Sequence, residues 1–341
     1  MSNMAIGLIG IGIMLVLMFA RQWVAITMFA VGIVGVIVIN GLSSGLSLAG
    51  TLPYSQAANY TLACIPTFVF MGCMISVSGI GADLYNAASK WLGRIRGGLA
   101  MATVAACGFF AAICGDSVAT AVTFGKVSFP QMRRFGYNPG FAGGSIVAGG
   151  TIGIMIPPSI GFIIYGLLTE QSIGKLFMAG MIPGITQVLF YCIAIYITCR
   201  IKPDYAQPGQ SYPIKEKFSS LGKVTPVIII FLFIMGGIYG GLFSPVEAAA
   251  VGAGIVILVG IVTRTLSLKQ FWEAAKDSVV TTATVMLILI AAHMINPFLA
   301  LSHIPSAVGD MLSGFGLGVT GTLILILAIY LVLGCFLEGF A

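Results

Sequence analysis

Charge is what this sequence has least of. Across 341 residues, Asp, Glu, Lys and Arg together make up 8%, against 58% hydrophobic residues and a mean hydropathy of +1.06. A soluble domain carries roughly 25% charged residues, so a water-exposed globular fold is excluded. Histidine is nearly absent, with two residues, and the seven cysteines show neither paired ligand spacing nor a neighbouring His. That pattern speaks against a transition-metal centre; the cysteines mostly lie inside apolar stretches and read as small packing residues. There is no glycine-rich phosphate loop followed by Lys and Ser or Thr, no nucleophile elbow and no metalloprotease helix motif. ATP-driven work and hydrolysis therefore have no residues to carry them, and the chain is read as a non-enzyme without a cofactor. The first twenty residues hold no Lys, no Arg and no cleavage site, so the N-terminus reads as a retained span and not as a signal peptide. The net charge of +6 is dispersed over short loops, which fits membrane topology and gives no nucleic-acid-binding face.

What the chain does have is long apolar runs. About 20 apolar residues cross a ~30 Å hydrocarbon core, and spans are expected near 4–20, 23–42, 62–80, 139–168, 176–199, 223–242, 246–263 and 278–300. The expected fold is an all-α integral membrane bundle, because a helix satisfies its own backbone polar groups in lipid. Two stretches depart from simple spans. The run 97–130 is interrupted by Cys114-Gly115-Asp116-Ser117, which predicts two limbs meeting at a polar tip, a re-entrant hairpin. The run 318–341 climbs to Gly334-Cys335-Phe336-Leu337-Glu338-Gly339-Phe340-Ala341 and reads as the first limb of a second hairpin. Two short segments, 82–96 and 268–277, mix charges with Leu, Trp or Phe and are expected to lie in the membrane interface.

Basic residues orient the bundle. With the N-terminus outside, fourteen of the sixteen Lys and Arg fall on the cytoplasmic side; Lys126 sits in a hairpin limb and Lys175 outside. In this topology three spans, an amphipathic connector and a hairpin occupy 1–130 and recur from about 223, at an offset of about 224 residues. The two copies then run with opposite sense, the inverted-topology arrangement of secondary transporters. The expected organisation is a first inverted repeat over 1–200, holding hairpin 97–130 and broken span 139–168; a cytoplasmic linker over 201–222; and an incomplete second repeat over 223–341. Roughly 80 residues of that second copy have no counterpart here.

Chemistry is expected at two places. A carboxylate at the tip Gly115, Asp116, Ser117, continuing to Thr120, costs at least ~2.5 kcal/mol in the membrane. It must therefore face water, an ion or a partner, or cap the second limb by accepting backbone N–H bonds. In the span 139–168, Gly149-Gly150-Thr151-Ile152-Gly153-Ile154-Met155-Ile156-Pro157-Pro158-Ser159 carries two consecutive prolines, which predicts a break near its middle. Broken backbone at that depth is tolerated where it lines a cavity, so Thr151, Gly153, Pro157, Pro158 and Ser159 are candidate binding residues. Glu338 follows the logic of Asp116. His293, Asn296 and Pro297, near the end of a span, read as packed residues.

The stretches GDSVATAVTFGKVSFPQMRRFGY, GGTIGIMIPPSIGFIIYG and EQSIGKLFMAGMIPG resemble the large membrane subunit of the tripartite ATP-independent periplasmic (TRAP) transporters, the dicarboxylate and sialic acid type permeases. FSPVEAAAVGA and GCFLEGFA resemble later parts of the same family, so the likeness runs over essentially the whole chain. It implies a bacterial inner-membrane importer of organic acids, driven by sodium as the coupling ion and working by an elevator-type motion. It implies two partners, a small membrane subunit and a periplasmic substrate-binding protein. By position, sodium would fall on Gly115, Ser117, Gly153 and Pro157, and substrate on the tip and on the broken stretch. The family usually has a small or hydroxyl residue where this chain has Asp116. Each imported negative charge costs ~2.3 kcal/mol per 100 mV and each sodium returns as much, so a dicarboxylate would need at least three sodium ions and a monocarboxylate two. Two other readings remain at this point: a stand-alone ion-coupled carboxylate carrier of a related inverted-repeat family, and an inactive truncated remnant.

Overall fold

The structure, a computed structural model, describes residues 2–334. All regular structure among them is helical. Among the described residues five helices are long and apolar enough to cross a membrane: Tyr60–Val77, Ile173–Ile201, Ile214–Tyr239, Pro245–Val262 and Leu268–Leu301, while Asn3–Phe19, Val24–Asn40, Gly98–Cys114 and Gly318–Gly334 are apolar and shorter.

The chain divides into two compact units. The first comprises the described parts of Met1–Leu62 and Ala283–Ala341. It holds α1 (Asn3–Phe19), α2 (Val24–Asn40) and α3 (Leu42–Ala57) with segments from the other end of the chain. Its core is Val31, Val36, Ile295 and Phe298. Close approach is built in by sequence: a Cβ on Gly32 would lie 2.6 Å from the Met294 carbonyl oxygen. The outer sides stay apolar, with Val16 67% and Val38 58% exposed, as lipid-facing surfaces must be.

The second unit, Ala63–Thr282, holds α4 (Cys64–Val77), α5 (Ile80–Leu92), α6 (Gly98–Cys114), α7 (Ser117–Arg134), α8 (Pro139–Thr151), α9 (Ile160–Leu168), α10 (Ile173–Ile201), α11 (Ile214–Tyr239) and α12 (Pro245–Val262), and the start of α13 (Leu268–Leu301). Helix α6 is its axis. Ala100, Ala102, Val104, Cys107, Phe110 and Ala111 are all buried, and α4, α5, α7, α8 and α10 pack around it. A helix apolar on every side is stable only when enclosed. Phe110 and Phe124 meet edge to face at 5.5 Å and join the limbs α6 and α7.

Helix starts follow local chemistry. Ser244 and Glu247 form a reciprocal capping box ahead of Pro245 at the first turn of α12. Asn138 Oδ1 accepts from the amides of Gly140 and Phe141 at 2.9 and 3.2 Å, starting α8.

Two expectations are corrected. Helix α3 falls outside every expected span but for its first residue, Leu42; Gly45, Gly50, Pro53 and four serines dilute its apolar signal. The segment 268–277 is not separate from the span that follows: it forms the first turns of α13, continuous to Leu301. Ser267 and Gln270 cap its start reciprocally, with Ser267 N donating to Gln270 Oε1 at 2.8 Å. Nothing between them and the span breaks the helix, and Pro297 does not end it. The amphipathic connector 82–96 is α5, with Leu84 and Tyr85 buried.

At the offset of about 224 residues, α1, α2, α5 and α6 overlap α11, α12, α14 (Ile304–Gly314) and α15 (Gly318–Gly334), while α3 and α4 overlap the single helix α13. The compact units do not follow these copies, since each takes segments from both.

Candidate functional site

The hairpin tip forms because α6 has nowhere helical to go after Cys114. Gly115 takes the left-handed conformation, φ 67°, and closes α6 with its amide on the Ala111 carbonyl. Asp116 is extended and caps α7: its Oδ1 accepts from Ala119 N at 2.6 Å. Thr120, fully buried, donates its hydroxyl to the Asp116 carbonyl. The capping role expected for Asp116 is thus met by one carboxylate oxygen. The second carboxylate oxygen and the Ser117 hydroxyl have no hydrogen-bond partner among the described residues.

The span 139–168 is broken as Pro157 and Pro158 dictate. α8 ends at Thr151, a single 3-10 turn covers Ile152–Ile154, and α9 starts at Ile160 behind Ser159, which is buried and accepts from Phe162 N at 3.5 Å. The Pro157-Pro158 peptide is cis.

Folding sets these two interruptions against each other. A Cβ on Gly153 would lie 2.6 Å from the Asp116 carbonyl oxygen, and one on Gly115 would collide with the Pro158 carbonyl oxygen. Ile160 N donates to the Gly115 carbonyl at 3.3 Å. Gly115, Asp116, Ser117, Thr120, Gly153, Pro158 and Ser159 therefore share one small region, in which the N-termini of α7 and α9 are adjacent; Pro157 precedes Pro158 in the same loop. Two helix starts supply partial positive charge, and the interrupted turns supply carbonyl oxygens, the donor set that suits a hard cation beside an anion.

The tip is seated from outside as well. A Cβ on Gly72 of α4 would lie 2.7 Å from the Cys114 carbonyl oxygen, and Ser76 Oγ is 4.0 Å from Cys114 Sγ. On the other side α10 meets the break through glycines: a Cβ on Gly180 would lie 2.8 Å from the Met155 carbonyl oxygen, and one on Gly184 2.6 Å from Ile156 Cγ1.

Thr151 turns elsewhere. It is exposed, donates to Ala148 O at 2.7 Å, and meets Tyr191 OH and Gln187 Nε2 of α10, each at 3.2 Å. Gln187 and Tyr191 are polar residues that the sequence reading missed; a lone amide inside the apolar run of α10 was the available signal. Glu338 lies outside the described residues. His293 is half-buried within α13.

The fold and this region define a class: a polytopic helical membrane protein whose hairpin tip abuts a broken span. The comparisons then settle the family. The model of the tripartite ATP-independent periplasmic transporter, DctM component, matches residues 11–341, and the chain belongs to that family, the large permeases of TRAP transporters. It is 35% identical over 286 residues to the C4-dicarboxylate TRAP transporter large permease protein DctM of Pseudomonas aeruginosa, covering 84% of this chain and 66% of that one. It is 33% identical over 331 residues to the sialic acid TRAP transporter large permease protein SiaM of Vibrio cholerae, covering 95% and 75%. It is 30% identical over 322 residues to the isethionate TRAP transporter permease protein DctMQ of Oleidesulfovibrio alaskensis, covering 91% and 51%. The chain thus spans between half and three quarters of the length of these relatives. Membership in a permease family, and no feature missing from the structure, sets the enzyme reading aside.

Proposed function

We propose that this chain serves as the large permease of a sodium-coupled importer of organic acids in a bacterial inner membrane, with its N-terminus on the periplasmic side. A periplasmic binding protein delivers the acid and a small membrane subunit completes the carrier. The two copies at the offset of about 224 residues run with inverted topology, and the hairpin-bearing part moves as an elevator. Sodium is held at Gly115, Ser117, Gly153 and Pro157, and the acid lies beside it against the tip and the stretch from Pro157 to Ser159.

The observation that carries this reading is the contact of Gly153 with the Asp116 carbonyl, which brings two interrupted helices into one place. Family membership supports the rest. The names of relatives include C4-dicarboxylate, sialic acid and isethionate, which are anions, and ectoine, a zwitterion; each carries a carboxylate or sulfonate group, which supports an organic acid as the cargo. The single-chain DctMQ relative supports the pairing with a small subunit.

The test is uptake of labelled organic acids by proteoliposomes holding the chain, its small subunit and its binding protein. Uptake that requires an inward sodium gradient and the binding protein is the expected result. Uptake indifferent to sodium and to membrane voltage would overturn the coupling. Uptake without the binding protein would make the chain a stand-alone carrier.

A further inference from the structure

The hairpin carries one charge that the site above does not use. Lys126 lies midway along α7, is exposed, and has no ion pair or hydrogen bond among the described residues. An ammonium group in an apolar limb is costly unless it faces water or a partner. Helical spacing sets it on one face with Val122, four residues before, and Arg133, seven residues after, and both of these are exposed. At 1.5 Å per residue, Lys126 stands about 15 Å from Asp116 and about 10 Å from Arg133. This face is open. A Cβ on the adjacent Gly125 meets nothing within 4 Å, and the same holds at Gly143 and Gly144 of α8, the helix packed against α7.

Among the described residues the tip offers an anion no cationic side chain; the one charged group there, Asp116, repels a carboxylate. The first cation met along α7 from the tip is Lys126, and the next is Arg133. A line of like charges along a low-dielectric wall concentrates the opposite charge next to it. A lone ammonium binds as a point charge, without the bidentate grip of a guanidinium, which suits a group that must also let go.

We propose that Lys126, with Arg133 beyond it, is a carboxylate-binding station between the hairpin tip and the cytoplasmic rim, engaged by the carried acid as it leaves. The proposal rests on the transport reading above. It assigns the lysine a role in rate and leaves ion coupling to the tip.

The experiment is sodium-driven uptake of labelled succinate and labelled sialic acid by the reconstituted complex, comparing wild type with K126Q, K126M and K126R. The Gln and Met variants are expected to lower the initial rate about tenfold, with half-saturating sodium unchanged. The Arg variant is expected to stay within about twofold of wild type, since it keeps the charge. Gln and Met variants as fast as wild type would overturn the proposal, and so would an Arg variant as slow as Gln. K126M removes a charge from an open face, so it should melt no lower than wild type; early melting would make the lysine structural and sink the idea. Altered protease protection of loop 202–213 would make Lys126 a determinant of topology, with the same consequence. A wild-type complex with no sodium-driven uptake would remove the transport reading itself, before any Lys126 variant is compared.

Discussion

A methyl group on Gly153 would sit 2.6 Å from the carbonyl oxygen of Asp116 and 2.8 Å from the Cα of Ser117. Both neighbours are backbone, so neither can swing aside. Gly153→Ala must push the broken span off the hairpin tip, at about 1–3 kcal/mol of overpacking. Displacement of a binding region by about 1 Å costs on the order of a hundredfold in activity, and uptake should fall accordingly. Gly143→Ala is the control: nothing lies within 4 Å of its Cβ, and alanine in a helix interior should stabilise by about 0.5–1 kcal/mol. Thermal unfolding and uptake of the two variants check the contrast; equal effects would mean that the close contact at Gly153 is not held in the working protein.

Asp116 combines a capping oxygen with a free one, and substitution can separate them. Asp116→Asn keeps a side-chain acceptor for Ala119 N, so stability should hold, while the loss of charge should raise the sodium concentration needed for half-maximal uptake. Asp116→Ala should lose about 1 kcal/mol as well, the usual worth of an N-cap. A wild-type sodium response in the Asn variant would confine Asp116 to capping.

Tyr137 sets a third expectation, at the base of the hairpin. The residue is 1% exposed, and its hydroxyl accepts the Leu99 amide proton at 3.2 Å at the start of α6. Burial pushes the phenol up to about 12, and the Leu99 hydrogen bond pulls the other way. The unfolded phenol ionises near pH ~10, so below that both states are protonated and this group contributes no pH dependence. Above it the unfolded state releases its proton first, and stability falls as pH rises from about 10 to about 12. Tyr137→Phe should remove that alkaline component and cost about 1–3 kcal/mol at neutral pH for the orphaned amide. Thermal melts across pH 8–12 on both proteins measure it.

The first turns of α11, where the linker from α10 ends, dock on α5 through unequal contacts. Lys90 pairs with Glu216 at 3.6 Å, with both side chains partly exposed. Trp91 donates its indole N–H to the Lys217 carbonyl at 3.3 Å and meets the Phe218 ring edge to face at 5.5 Å. Lys90→Ala should cost under ~1 kcal/mol, whereas Trp91→Ala should cost about 2 kcal/mol from lost ring contact and burial. Limited proteolysis of 203–213 should rise in the tryptophan variant and stay near wild type in the lysine variant; the reverse order would make the ion pair the anchor.

Both interruptions of the candidate site were legible in the sequence because they are local. Pro157-Pro158 cannot continue a helix wherever it folds, and Gly115-Asp116-Ser117 combines a left-handed turn with a cap within three residues. Their mutual contact was not legible from spacing, since Gly153 and Asp116 meet through the packing of α8 on α7. Thr151 was grouped with the break because it adjoins it in sequence; its actual partners, Gln187 and Tyr191, come from a helix that no pattern linked to it. α3 was missed because small and polar residues mute a helix whose surroundings decide its stability. The start of α13 was misjudged because charges beside Phe271 and Trp272 look the same in an interfacial arm and in the first turns of a long helix.

The glycines that seat the break against α10 carry a mechanical consequence. Side chains absorb displacement by changing rotamer; Gly153 meets the Asp116 and Ser117 backbone and has no torsions to spend, whereas Gly180 and Gly184 also meet the Phe162 ring and the Ile156 side chain. The joint between tip and break is therefore stiff, and the seat on α10 is softer. A shift at Gly115 passes directly between tip and break, and reaches α10 in part through those two side chains. Compliance within this unit therefore belongs first to the α10 seat, where the Phe162 and Ile156 side chains can turn.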